Sequence, residues 1–319
     1  MKAPFPYFGG KSRVAPLVWD RFGDVPNLVE PFFGSGAMLL GRPHWISGGW
    51  KDGRTRTETV NDVDCYLANF WRAIRFNPAT TAAWADWPVS EADLLARHRW
   101  LVYQADFRER IRTDADFYDC RIAGWWVWGL CSWIGSGWCR QRRDGDRLPD
   151  NLPHLGNAGR GINRKLPHLG DAGRGEQIAA YFAELSGRLR DVRIACGEWD
   201  RVLSEAVTVR HGLTGVFLDP PYTEGDLQYS AGGCGGEVAS AVREWAIQNG
   251  NNQALRIALC GYDSEHEMPA NWECVKWKAR KGYQSKDDSL ADRERERVWF
   301  SPACIRPGGL FAAEDAICL

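Results

Sequence analysis

The sequence predicts a doubly wound α/β fold, with helices on both faces of the sheet and a mainly helical insertion. Three observations predict it. Leu28-Val29-Glu30 is a short apolar run ending in an acid, followed by the glycine turn Pro31-Phe32-Phe33-Gly34-Ser35-Gly36-Ala37. A second run, Glu58-Thr59-Val60, leads into Asn61-Asp62, and a third, Gly215-Val216-Phe217-Leu218, leads into Asp219-Pro220-Pro221-Tyr222. Strand, glycine turn and helix form the ligand-binding unit of such sheets, and an acid after the second strand is where they hold ribose hydroxyls.

In chain order, Phe5-Pro6-Tyr7-Phe8-Gly9-Gly10-Lys11 is apolar and glycine-rich and reads as an ordered lid, with Lys11 a candidate partner for a ligand carboxylate. A helix begins over 37–40 after the glycine turn, and an amphipathic helix covers about 64–76 after the second strand. From residue 77 the pattern changes. Trp84, Trp87, Leu94, Leu95, Trp100, Leu101 and Ile111 predict several short helices, and the aromatic segment 125–138 reads as mostly core. Between Cys139 and Gly175 the chain turns polar, with eight Arg or Lys against four Asp and seven glycines. Leu152-Pro153-His154-Leu155-Gly156-Asn157-Ala158-Gly159-Arg160-Gly161 recurs there from Leu166 to Gly175. Two copies are too few for a solenoid and read as a long mobile loop or hairpin.

The α/β pattern resumes with a helix over 176–189, a strand over 192–196, Glu198-Trp199, a helix around 200–206 and the strand into Asp219. A helix near 237–249 and strands over 255–260, 273–278 and 297–300 complete it. Arg293-Glu294-Arg295-Glu296-Arg297 alternates in sign and reads as a salt-bridged strand face. The expected domains are therefore 1–76 and 176–319 as two parts of one α/β domain, with 77–175 inserted and its basic repeat loop at 139–175.

Composition bounds the function. The chain has 319 residues, 44% hydrophobic and 25% charged, as for ordinary globular proteins. A net charge of −1 gives no global electrostatic case for nucleic acid, so any such case is local. Ten cysteines without a Cys-x-x-Cys pair read as buried cytoplasmic thiols, not as a metal site or a disulfide framework. No signal-peptide core and no apolar run near the roughly 20 residues of a membrane span is seen, which predicts a cytoplasmic protein.

The chemistry concentrates at Asp219-Pro220-Pro221-Tyr222. The prolines fix φ and remove backbone N–H groups, leaving carbonyl acceptors beside a carboxylate and an aromatic ring. That combination suits a planar group with an exocyclic amine, such as adenine or cytosine. Acceptors at Asp219 and Pro220 draw the nitrogen lone pair out of ring conjugation as it attacks an electrophile, which is preorganised electrostatics. Stacking on Tyr222 is worth ~1–3 kcal/mol per base. Gly34 and Gly36 admit a ligand to the backbone, and Glu30 and Asp62 can take its amine or hydroxyl donors. Arg140, Arg142, Arg143, Arg160, Arg164, Lys165 and Arg174, with Lys281 in a second basic loop, are candidates for phosphate contact.

Together these motifs resemble the Dam-type N6-adenine DNA methyltransferases over nearly the whole chain. Pro6-Tyr7-Phe8-Gly9-Gly10-Lys11 resembles the family's N-terminal cofactor motif, and Val29 to Ala37 its glycine motif. Asn61-Asp62 falls where its ribose-binding acid lies, and Glu198-Trp199 is similar to its acid–aromatic pair, more often Asp-Phe or Asp-Tyr. Asp219-Pro220-Pro221-Tyr222 matches its catalytic motif in full, and the tandem repeat looks like that of phage-borne members. The resemblance implies a Rossmann-like, S-adenosylmethionine-dependent, site-specific enzyme of the restriction-modification kind. It would act as a metal-free monomer on double-stranded DNA and move the methyl group directly to a flipped adenine. Tyr7, Gly10, Lys11, Glu30, Phe32, Gly34, Gly36, Asp62, Glu198, Trp199 and Asp219 would line the cofactor, and 77–175 would be the target-recognition domain. Cytosine C5 methylation needs a thiol, conventionally after proline, and no Pro-Cys dipeptide occurs. Cytosine N4 in DNA, adenine N6 in RNA, or DNA binding without catalysis stay open as alternatives.

Overall fold

The computed structural model describes residues 1–5, 7, 10–46, 49–88, 90–133, 137–139, 175–222, 235–277 and 295–307. Two compact units divide the chain: a helical unit of residues 3–7 and 64–190, and an α/β unit of 8–63 and 191–319. The tandem repeat lies outside the described residues, apart from the backbone of Gly175.

The α/β unit begins with α1 (Ala15–Phe22), β1 (Asn27–Glu30), the single turn α2 (Ala37–Leu40), a small hairpin β2 (Trp45–Ile46) with β3 (Gly49–Trp50), and β4 (Thr57–Asp62). The helical unit follows as α3 (Cys65–Phe76), α4 (Pro78–Ala85), α5 (Glu91–Val102), α6 (Ala105–Thr113), α7 (Cys120–Ser132) and α8 (Gly175–Leu189). The chain then returns with β5 (Arg193–Cys196), β6 (Thr214–Leu218), α9 (Gly235–Asn249), β7 (Leu255–Tyr262), β8 (Glu273–Lys276) and β9 (Glu296–Phe300). The helix expected around 200–206 is instead a short 3₁₀ turn, Trp199–Val202.

The seven strands are ordered β5-β4-β1-β6-β7-β9-β8. All neighbours from β5 to β7 pair in parallel, while β9 runs antiparallel to both β7 and β8. This is an α/β fold with a mostly parallel central sheet. β1 and β6 are buried at every residue, as strands covered on both faces must be. Val242 and Ala246 of α9 share a core with Val216, Leu218, Ile257 and Leu259. Gly215 points the other way by strand alternation, and its missing Cβ leaves room for Phe22 of α1. Helices therefore cover both faces of the sheet.

Asn27 is one of two polar residues in the buried β1, Glu30 being the other. The Asn27 amide donates to Val207 O, Thr208 O and Thr214 Oγ1, so its burial leaves those donors satisfied. The chain order runs β1, β4, β5 toward one edge and then resumes at β6 and β7 on the other side of β1. That reversal, between β1 and β6, is the topological switch point at which open α/β sheets bind ligands beyond their carboxyl ends.

In the helical unit, polar caps start the helices. Asp64 accepts from Tyr66 N at 2.8 Å, Ser90 from Asp93 N at 3.1 Å and Asp119 from Ile122 N at 2.8 Å. Phe5, Phe70, Trp71, Trp126 and Phe182 pack at centroid spacings of 5.2–5.8 Å. Phe70 and Trp71 of α3 and Phe182 of α8 thus belong to one aromatic core with α7. That is why the helical unit extends beyond the expected 77–175 on both sides. The expectation for the aromatic segment holds at Trp126 and Trp128, which are buried, whereas Trp125, Trp133 and Trp138 are only partly so.

Gly124 sets the approach of α7 to α4. A Cβ there would stand 2.8 Å from both Thr81 O and Trp84 C. Alanine normally stabilises a helix interior by about 1 kcal/mol over glycine. Here the obstacle is backbone, which cannot rotate away, and overpacking of this kind costs about 1–3 kcal/mol. Gly124→Ala is therefore expected to lower the melting temperature, as scanning calorimetry would show.

Candidate active site

The carboxyl ends of β1, β4 and β5 are tied together by Asn61. Its buried side-chain amide donates to Pro31 O at 3.1 Å and Gly197 O at 2.9 Å, and its backbone carbonyl accepts from Phe33 N at 2.9 Å. The glycine turn follows: Gly36 N donates to Phe33 O at 2.8 Å, and Gly36 has φ +67°. Any Cβ at Gly36 would meet the Phe33 ring at 2.8 Å, so backbone conformation and packing both demand glycine there.

Glu30 is buried at the end of β1. Asp62, at the end of β4, accepts from Gly34 N at 2.9 Å through Oδ2. A backbone N–H that a phosphate-binding turn would offer to its ligand is thus already given to a carboxylate. With Glu30 alongside, the turn is suited to a cationic or donor-rich ligand, not to a pyrophosphate. Phe32 and the half-buried Trp199 lie nearly parallel, 20° apart with centroids 6.3 Å apart, while Glu198 is exposed. Two acid side chains, two aromatic faces and the side-chain-free Gly34 and Gly36 suit this end of the sheet to a planar, donor-rich ligand.

Asp219 follows β6, on the other side of the switch point. Lys11 Nζ lies 2.9 Å from Asp219 Oδ1, and Lys11 is 4% exposed. Lys11 thus turns inward to this carboxylate, whereas the sequence had suggested a ligand carboxylate as its partner. Tyr222 Oη donates to Glu296 Oε2 at 2.9 Å and makes a longer 3.5 Å contact to Asp219 Oδ1. The Lys11 ammonium stands 5.0 Å from the Tyr222 ring centroid and 5.7 Å from that of Trp277. Tyr262 packs edge-on to Tyr222 at 4.6 Å. Asp219 meets both Lys11 and Tyr222 through Oδ1, and its side chain is 21% exposed.

Burial dominates the electrostatics. It pushes the Asp219 and Glu296 carboxyls up, and Lys11 offsets part of each rise. Burial by itself favours neutral Lys11, but Asp219 and Glu296 more than compensate and hold the ammonium above the usual lysine range. Burial, then the two carboxylates, keeps the Tyr222 hydroxyl protonated well above the usual tyrosine range. Cys260, close enough to feel Asp219, is held as a neutral thiol by burial.

The α/β unit thus brings together Lys11, Asp219 and Tyr222, and separately Glu30, Phe32, Gly34, Gly36, Asp62 and Trp199 around the glycine turn. Pro220 is buried and Pro221 half-buried between Asp219 and Tyr222. Gly10 precedes Lys11 in this unit, but Tyr7 belongs to the helical unit, where its ring meets Phe5 at 6.1 Å. Arg140, Arg142, Arg143, Arg160, Arg164, Lys165, Arg174 and Lys281 lie outside the described residues. Eight free cysteines are described, and among the described residues no His, Cys, Asp or Glu group is arranged for a metal. No helix among them is long and apolar enough to cross a membrane.

Glu296 is the member of the site that sequence reasoning missed. Arg295 and Arg297 do pair with Asp263, at 3.1 and 3.4 Å, as a salt-bridged face. Glu296 faces the opposite way and is buried against Tyr222, which corrects its assignment to that face. The period-2 alternation of a strand was the available signal. A scan against protein-family models and a search of the curated proteins both return no match for this chain.

Proposed function

We propose that the chain is an S-adenosylmethionine-dependent DNA methyltransferase acting on the exocyclic N6 of adenine. The observation that carries the proposal is Asp219. It is an oriented carboxylate anchored through Oδ1 by a buried ammonium, partly exposed, and followed by two prolines at the switch point of the sheet. Oδ2 is suited to accept from a planar –NH2 group, with the Pro220 carbonyl as second acceptor. Lys11 holds Asp219 as an acceptor by stabilising its anion. Tyr222, kept protonated and tied to Glu296, offers its ring as a wall for the base.

Glu30, Asp62, Phe32 and Trp199 would hold S-adenosylmethionine, which when bound supplies an electrophilic methyl group. Asp219 and the Pro220 carbonyl would orient the amine nitrogen to take up that methyl group, whose former bonding electrons would stay with its sulfur, and the amine proton would leave to solvent. Amine nitrogen is itself the nucleophile, so no thiolate is called for, in keeping with the neutral Cys260. The base must leave the duplex stack to reach such a pocket, at a cost of a few kcal/mol.

The test is incubation of the full chain with methyl-labelled S-adenosylmethionine and unmethylated genomic DNA, followed by mass spectrometry of the nucleosides. N6-methyldeoxyadenosine is the expected product. Label confined to cytosine would move the acceptor, and no labelled nucleoside would end the proposal.

A further inference from the structure

The helical unit carries a second candidate site, an open cleft of ≈ 600 Å³ on α4, α5 and α7. Its volume falls within the ~300–1,000 Å³ of small-molecule sites. Trp84, Trp87, Trp100 and Trp125 line it together with Arg97 and Asp93. Trp84 is 39% and Trp87 47% exposed, an unusual cost for such large rings unless they serve a ligand.

Arg97 is only 6% exposed. Its guanidinium lies 4.2, 4.9 and 5.1 Å from the ring centroids of Trp128, Trp125 and Trp87. Behind Trp125, Arg121 stands 4.1 Å from that ring and 4.4 Å from Trp100. Nη1 of Arg97 and Nε of Arg121 are buried with no hydrogen-bond partner among the described residues. Arginine does not shed its proton in proteins. The unit therefore holds two cations on aromatic faces, at a desolvation cost that contacts between protein groups do not remove. Asp93, the carboxylate in the lining, is already engaged by the Ser90 hydroxyl at 2.8 Å and Trp87 Nε1 at 3.3 Å.

Exposed indole faces, positive charge and a shortage of acceptors select a planar, acceptor-rich anion. A nucleotide has those properties in one unit: a base to stack and a phosphate to meet the charge. A peptide would bring backbone donors that this lining cannot satisfy. We propose that the cleft takes one unpaired nucleotide of a DNA strand, its base against the indoles and its phosphate near Arg97. That the strand is DNA rests on the function proposed above; the nucleotide chemistry does not.

Fluorescence anisotropy with the full chain tests this, comparing a short labelled duplex bearing a single-nucleotide bulge with the same duplex fully paired. Wild type is expected to prefer the bulged duplex by about tenfold, the order that one stacked base supplies. Trp84→Ala, Trp87→Ala and Arg97→Gln should each remove most of that preference, while Trp84→Phe, which keeps an aromatic face, retains it. Equal binding of both duplexes by wild type, or an undiminished preference in the alanine variants, overturns the proposal. So does stronger competition from an acidic tryptophan-bearing peptide than from the bulged strand. Methyl transfer assayed on the same preparation separates the two readings. Bulge preference without transfer keeps the cleft and removes the catalytic proposal; transfer without bulge preference does the reverse.

Discussion

Asp219→Ala is expected to lower methyl transfer by at least about 10²–10³-fold, the usual loss when one preorganised polar group at a reacting centre is removed. S-adenosylmethionine affinity, measured by calorimetry, should change far less. The reason is spatial: Glu30, Phe32, Asp62 and Trp199 group around the glycine turn, whereas Asp219 makes its contacts with Lys11 and Tyr222. Asp219→Asn separates charge from shape. It keeps an acceptor oxygen and the side-chain volume but gives Lys11 no anion there, so its activity should fall between wild type and Asp219→Ala. Full activity in the alanine variant would remove Asp219 from the chemistry. Loss of cofactor binding in step with activity would recast it as part of the cofactor site.

Much of the α/β fold was legible because its signals are local. β1 and β6 are short apolar runs that each end at an acid, and the turn 31–36 announces itself by glycines that the backbone needs. Asp64 before an apolar helix is a local cap signal, and its carboxylate accepts from Tyr66 N. What escaped was set by partners far away in sequence. Nothing near residue 296 tells that β9 inserts between β7 and β8, which buries Glu296 against Tyr222. The ion pair of Arg21 with Glu273, at 2.7 Å, likewise joins opposite ends of the chain. The hairpin of β2 and β3 was not expected either. It is two residues deep, and Trp50 is held between the guanidiniums of Arg42 and Arg56 at 4.9 and 4.6 Å, contacts that no periodicity encodes.

Asp219-Pro220-Pro221-Tyr222 is contiguous, so its place at the end of β6 was legible from residue types alone. Lys11 was noticed as a candidate partner for a ligand carboxylate, while its contact with Asp219 at 2.9 Å is set by the tertiary fold alone. Trp84 and Trp87 gave helical spacing, which is silent about whether a ring faces a core or a cleft.

Lys11→Met should produce pH dependences of stability and activity with opposite slopes. Methionine retains the apolar stem of lysine but leaves Asp219 and Glu296 in the pocket without their cation. Both carboxyls already sit above the ordinary range of ~4 because of burial, and without Lys11 each moves further up. A carboxyl whose folded pKa is raised contributes no penalty below its unfolded pKa. As pH rises toward the folded value, the unfolded chain loses its protons first, and folding is progressively disfavoured. The melting temperature of Lys11→Met should therefore fall between pH 5 and 8. At neutral pH the deficit from wild type should reach about 3–5 kcal/mol, the usual penalty for breaking a buried ion pair. Wild type has the compensating term: Lys11 is raised above the usual lysine range, so its contribution persists through neutral pH and disappears only in strong alkali. Activity should run the other way. A protonated Asp219 is a poorer acceptor for an amine, so residual methyl transfer by Lys11→Met should climb as pH rises and the carboxyl ionises. Adding Glu296→Gln should recover part of the stability by removing one of the two buried acids, and lower the pH at which activity returns. If the melting temperature of Lys11→Met instead tracks that of wild type across this range, the ammonium is not what holds the two carboxylates in the pocket.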